Sequence, residues 1–158
     1  ERLHAEVDEA VEPLERLHAA RLQCRRGCHD CCVDGITVFE VEAERIRERH
    51  AELLETGAPH PEGRCAFLDG EGACRIYADR PYVCRTQGLP LRWLDEEAEK
   101  RDICPLNDRG TPLTELPAEA CWTLGPWEGR LATLQQSRDG GEMRRIALRS
   151  LFTRGEPR

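Results

Sequence analysis

Apolar positions along this chain fall into short periodic stripes separated by Gly- and Pro-marked breaks. Over residues 1–23, Leu3, Val7, Ala10, Leu14 and Leu17 recur at spacings of three and four, the period of one helix face. Pro13 lies inside that stripe and removes a helix donor, so a kink or restart is predicted near Val11–Pro13. Such a helix docks on the core or, alternatively, offers a dimerising or partner-binding face. A second helix is predicted over about 38–56. Phe39, Ala43, Ile46, Leu53 and Leu54 form its buried face, Thr37 and Glu40 a capping box at its start, and Gly57 and Pro59 its stop. His50 falls within this helix and reads as a packing or surface residue.

Shorter elements follow. Residues 58–64 read as a loop. Cys65–Leu68 and Ala73–Tyr77 flank Asp69-Gly70-Glu71-Gly72, which reads as a short β-hairpin. Such a hairpin is marginal alone, and a metal at its cysteine-bearing end would hold it. Tyr77 is expected to face the core with its hydroxyl at the surface. A short helix is predicted over Asp79–Arg85, capped by Asp79 with Pro81 in its first turn. Leu89–Leu94 reads as a strand, an edge one because of Pro90. Asp95–Asp102 reads as a charged, solvated segment. Pro- and Gly-bearing chain runs from Cys104 to Pro117, and helices are predicted over about 118–124, 127–137 and 142–152. Ile146, Leu148, Leu151 and Phe152 are available for burial. The expected fold is α+β and mostly helical: one small domain, with an N-terminal helical segment (1–23), a loop-rich cysteine core (24–105) and a C-terminal helical extension (106–158).

Composition changes that picture in one respect. Apolar residues make up 39% of 158, and the aromatics are 3 Trp, 2 Tyr and 3 Phe, so the core is lean and something else must help to hold the middle together. Nine cysteines are the obvious candidates. The formal net charge of −7 argues against non-specific nucleic-acid binding. No stretch approaches the roughly 18 apolar residues of a membrane span. Residues Glu1–Ala10 are too polar and acidic for a secretory leader. A reducing, cytoplasmic setting is therefore expected, in which clustered thiols read as metal-binding or catalytic rather than paired. Their odd number also precludes full pairing within one chain. Arg vastly outnumbers Lys, a bias read here as codon usage.

Four of the nine thiols lie in the run Cys24-x3-Cys28-x2-Cys31-Cys32, with Gly27 available for a tight turn. A C-x2-C knuckle lets two sulfurs converge on one tetrahedral ion. A thioredoxin-type role would need a nearby βαβ unit, and none is readable. His29 and Asp30 sit inside the knuckle. They are solvated loop residues or, on the functional reading, an added ligand or a base for metal-bound water.

These motifs resemble the YkgJ-type cysteine-cluster family, a zinc- or iron-chelating domain. The resemblance is carried by Cys24-x3-Cys28-x2-Cys31-Cys32 and Ile36-Thr37-x2-Glu40, then by Cys65-x8-Cys74-Arg75-Ile76-Tyr77, Arg80-Pro81-x2-Cys84-Arg85 and Cys104-Pro105. It implies eight metal-associated cysteines, Cys24, Cys28, Cys31, Cys32, Cys65, Cys74, Cys84 and Cys104, with Cys121 left over. It also implies zinc or iron, including an iron–sulfur cluster, in one or two centres.

Eight thiolates would carry a large negative charge. Arg25, Arg26, Arg75, Arg80 and Arg85 stand near cysteines in sequence and are candidates to donate to sulfur; a plain surface role is the alternative. Three functions compete: a metal-binding module presenting its terminal helices to a protein or peptide, a metalloenzyme or iron–sulfur redox protein acting on a protein or peptide, and a metal carrier or sensor. No convincing non-cysteine catalytic set is present, which favours the first.

Overall fold

The computed structural model describes residues 2–96 and 98–152. In chain order its regular elements are α1 (Arg2–Leu17), β1 (Thr37–Phe39), α2 (Glu40–Arg49), α3 (Ala51–Thr56), α4 (Tyr82–Arg85), β2 (Leu91–Asp95), β3 (Ala98–Asp102), β4 (Trp122–Thr123), α5 (Pro126–Asp139) and β5 (Arg145–Ala147), with short 3-10 turns between them. Helix makes up 45% of the described residues against 13% strand, so the fold is α+β and mostly helical, as the sequence predicts. No helix among the described residues is long and apolar enough to cross a membrane. The chain divides into two compact units.

The first unit joins the chain up to Arg25 with Tyr82–Leu131. Here α1 buries Leu3 and Val7 of the predicted stripe together with His4 and Val11, while Ala10 and Leu14 are half-buried and Leu17 is exposed. It runs through Pro13 to Leu17 as one helix, without the predicted restart, and stops short of residue 23. Past its end His18 is buried and its Nε2 meets the Ala120 carbonyl at 2.6 Å. Since that carbonyl only accepts, Nε2 carries the proton.

The sheet of this unit is mixed. β2 pairs antiparallel with β3, from Leu91↔Asp102 to Asp95↔Ala98, and parallel with β4 through Leu91↔Trp122. β2 is therefore the central strand and not the predicted edge. Pro90 is compatible with this because it lies just outside the strand, where its carbonyl accepts from Trp122 N–H. The segment expected to be solvated chain is β3, whose exposed charged residues suit a sheet edge. Residues 118–120 form a 3-10 turn leading into β4, where a helix over 118–124 is predicted. β2 draws this segment into the ladder.

The second unit joins Arg26–Pro81 with the chain from Ala132 onward. β1 pairs antiparallel with β5, Val38 opposite Ile146. A helix over 142–152 is thus replaced by β5 and a 3-10 turn, Leu148–Phe152. The predicted capping box does not form: α2 has Phe39 at its N-cap with no side-chain cap. Thr37 is engaged in the sheet, where the Arg145 guanidinium donates to its hydroxyl and carbonyl. The orphan donors of α2 find tertiary partners instead. Glu40 N–H donates to Arg144 O and Val41 N–H to Oε1 of the fully buried Gln135. Glu40 itself pairs with Arg47.

The predicted helix over 38–56 is broken at His50, whose φ of −128° leaves helical space. The break turns His50 towards Asp79, at 3.0 Å from Nε2. Asp79 is no cap either: it is buried in a 3-10 turn and receives Arg45, Arg49 and His50. Burial pushes its carboxyl up, but Arg49, His50 and Arg45 together hold it below the usual carboxylate range.

The core of this unit comprises Val38, Ala43, Ile46, Cys65, Ala66, Phe67, Leu68, Ile76, Leu148, Leu151 and Phe152. The Phe67 and Phe152 rings meet at 4.9 Å. Phe67 is the largest of the fully buried side chains among the described residues. Phe67→Ala is expected to destabilise the protein by about 3–5 kcal/mol, read from the denaturant midpoint. A loss below about 1 kcal/mol would show that the site collapses or that the core lies elsewhere.

Candidate metal centre

The two units hold different cysteines. Cys28, Cys31, Cys32, Cys65 and Cys74 belong to the second; Cys24, Cys84, Cys104 and Cys121 belong to the first. All nine are free thiols.

In the second unit the knuckle is a tight turn. Gly27 sits at φ +82°, where an L side chain is strained. Cys32 N–H closes the turn on His29 O. The ring of His29 packs on Gly72, where a Cβ would stand 2.6 Å from Nδ1. That Nδ1 lies 2.8 Å from Gly27 O, so it is the protonated nitrogen. His29 is thus a packing residue that fixes the turn, and Asp30 is exposed.

The hairpin meets the knuckle through Cys65, whose N–H donates to Cys32 O at 2.9 Å. The hairpin itself is minimal, a single bridge from Leu68 to Cys74 flanked by Asp69 N–H to Ala73 O and Arg75 N–H to Phe67 O. Side chains reinforce it. The Asp69 carboxylate accepts from Glu71 and Ala73 N–H. Arg75 donates to Ala58 O, Ala66 O and Phe67 O and stacks over Phe152.

Two pairs of thiols result. Cys31 and Cys32 interact directly: the Cys32 thiol donates to the Cys31 sulfur and, against burial, brings the Cys31 pKa down to about 6. Cys74 lies close enough to Cys65 to feel its charge. Burial raises both thiols, and the Cys65 charge raises Cys74 further. Among the described residues, no three Cys, His, Asp or Glu side chains converge as they stand on a point that could hold one ion.

In the first unit Cys84 lies in α4 and Cys104 precedes the 3-10 turn Pro105–Asn107. Asn107 N–H donates to Cys104 O, and the Asn107 side chain reaches Cys24 Sγ at 3.4 Å. Cys121 is buried, and burial raises its thiol.

Several residues that organise the cysteine loops carry no motif. Arg149, from the 3-10 turn after β5, pairs with Asp34 at 2.7 Å and donates to His60 O at 2.7 Å and Arg64 O at 2.8 Å. Asp34 in turn accepts from Gly35 and Gly63 N–H, and Arg64 donates to His29 O. One ion pair thereby ties the segment after Cys32 to the loop before Cys65. The guanidinium holds the Asp34 carboxyl below its usual range. A surplus of Arg over Lys was the only sequence signal for these clamps. Arg75 and Arg80, read as candidates for sulfur, donate to carbonyls, and their charges act on the Cys74 thiol against its burial; Arg80 donates to Tyr77 O and covers the Tyr77 ring at 4.1 Å. Tyr77 is 64% exposed, not core-facing, because the turn it opens points it outward.

As a donor set the thiols suit a soft or borderline cation such as zinc or iron. A family model described as "CxxCxxCC: Putative zinc- or iron-chelating domain" matches residues 23–105, a little over half of the chain. No curated protein and no solved structure gives a significant match.

Two measurements probe this geometry. In the reduced, metal-free protein, Cys31 is expected to be alkylated by iodoacetamide with a midpoint near pH 6, whereas Cys65 and Cys74 react only above the ordinary thiol range. The linked stability of the Cys31 thiolate should be absent below about pH 6, grow with pH, and level off above the ordinary thiol value of 9.0. Equal midpoints for all three would contradict the Cys31–Cys32 hydrogen bond. Separately, Arg149→Ala is expected to lower the melting temperature by roughly 5 °C, and Arg149→Lys to recover only part, because one ammonium cannot span a carboxylate and two carbonyls. Full recovery with Lys would show that charge alone matters.

Proposed function

Because the chain belongs to the CxxCxxCC family of zinc- or iron-chelating description, we propose that it is a metal-binding protein whose centre or centres are ligated by thiolates. The ligands are drawn from Cys24, Cys28, Cys31, Cys32, Cys65, Cys74, Cys84 and Cys104, and the ion is zinc or iron. One observation carries the reading: Cys65, more than thirty residues from the knuckle in sequence, lies beside it, hydrogen-bonded through its backbone to Cys32. Packing alone gives no reason to gather thiols from separate segments, whereas chelation does.

Cys28, Cys31, Cys32 and Cys74 are half-buried free thiols, neither sealed in the core nor fully solvated. A bound metal would hold these thiolates ionised and cross-link the loops that carry them. The chain's own residues supply the frame: Gly27 and His29 shape the turn, Arg149 and Asp34 hold its exit, and Arg75 holds the hairpin.

The test is metal analysis of protein purified without oxygen, combined with visible absorbance and acid-labile sulfide. About one or two Zn or Fe per chain is expected, lost with a drop in thermal stability on changing Cys31 or Cys32 to Ser. A colourless zinc form without sulfide would exclude iron–sulfur redox chemistry, and a brown sulfide-containing form would exclude a purely structural zinc. A metal-free protein, with every cysteine open to alkylation in the folded state, would overturn the proposal.

A further inference from the structure

Asn107 is fully buried, with 0% of its surface exposed, and its side-chain atoms are committed. Its Oδ1 accepts from Gln23 N–H at 2.7 Å. Its Nδ2 reaches Gly88 O at 2.8 Å and Cys24 Sγ at 3.4 Å. The amide cannot be turned over. The Gln23 N–H only donates and the Gly88 carbonyl only accepts, so the NH2 end must face Gly88 and Cys24. Its two hydrogens serve one carbonyl and one sulfur, and Cys24 is thereby held as an acceptor.

The surroundings fit the same role. Gly88 lies at φ +96°, and a Cβ there would stand 2.6 Å from Cys24 Sγ and 3.2 Å from Asn107 Nδ2. Any larger residue would therefore push the sulfur from the amide. The backbone N–H of Asn107 is bound to Cys104 O at 2.8 Å, so one residue connects two candidate ligands. Asn107 lies beyond the matched span of residues 23–105.

We propose that Asn107 is a positioning residue for the Cys24 sulfur: its buried amide holds that sulfur as a hydrogen-bond acceptor and so sets how tightly Cys24 keeps a metal ion. The proposal rests on the reading of Cys24 as a metal ligand.

The test loads the full-length wild type, Asn107→Ala, Asn107→Asp, Cys24→Ser and the Asn107→Ala/Cys24→Ser double variant with Co(II) without oxygen. Co(II) affinity and the thiolate-to-cobalt charge-transfer band are read for each. Asn107→Ala is expected to lose about 10- to 100-fold in affinity and to shift the band. Asn107→Asp keeps the size and the acceptor for Gln23 but turns an oxygen towards the sulfur, so it should lose at least as much. In the Cys24→Ser background, Asn107→Ala should change affinity by less than about twofold, since the interaction is already gone. Wild-type affinity and band in both Asn107 variants would overturn the proposal. So would an equal loss with and without Cys24, the mark of a merely structural residue. A wild type that takes up no Co(II) would instead overturn the ligand reading beneath it.

Discussion

A guanidinium or carboxamide that reaches several backbone groups at once does for an irregular chain what a ladder of hydrogen bonds does for a sheet. Buried peptide carbonyls and N–H groups must find partners, and the segments that carry these cysteines have little helix or strand to supply them. In the second unit Arg149 serves His60 O and Arg64 O, Arg75 serves Ala58 O and Ala66 O, and Arg64 serves His29 O. In the first unit Arg21 serves Thr111 O, Arg101 serves Leu113 O and Leu116 O, and Asn107 serves Gly88 O and Gln23 N–H. Each unit is thus a modest apolar core with loops pinned to it by fixed polar forks.

This arrangement has a chemical consequence. Arg offers five donors in a planar fork, whereas Lys offers one point charge, so a chain that relies on carbonyl clamps needs Arg in particular. The composition reads differently in this light: the Arg excess provides much of the loop scaffold, and codon usage alone is an incomplete account of it. Cys31 is held ready as a thiolate by its neighbour, while desolvation raises the thiols of buried Cys65 and half-buried Cys74. Such a spread of thiol acidities suits a site that releases protons as a metal enters.

Elements with a strong local pattern were legible in the sequence. The α1 helix with its buried Leu3 and Val7, the α2 face through Ala43 and Ile46 and the Gly-rich turn at 69–72 follow from periodicity and turn chemistry. What periodicity could not reveal is set by distant partners. Thr37 and Glu40 satisfy a capping box on paper, yet β5 claims Thr37 and Gln135 caps the helix from nearly a hundred residues away. Leu148–Phe152 looks helical because its spacing is short, but strand pairing at Arg145–Ala147 takes its lead-in. At the candidate centre, the cysteines were visible as a spacing pattern. Arg149, Asp34 and Asn107 were not, because a single Arg or Asn announces no partner until the fold brings one.

Native-state hydrogen exchange on the reduced, metal-free protein tests the central claim most directly. The amides to follow are Cys32, Cys65, Gln23 and Asn107, which donate to His29 O, Cys32 O, Asn107 Oδ1 and Cys104 O. If side-chain clamps organise the cysteine loops, these amides exchange far more slowly than in an unfolded chain, in the same range as the amide of core residue Ile46. Exchange at unfolded-chain rates, with Ile46 still protected, would contradict the account and leave metal as the organiser of the loops.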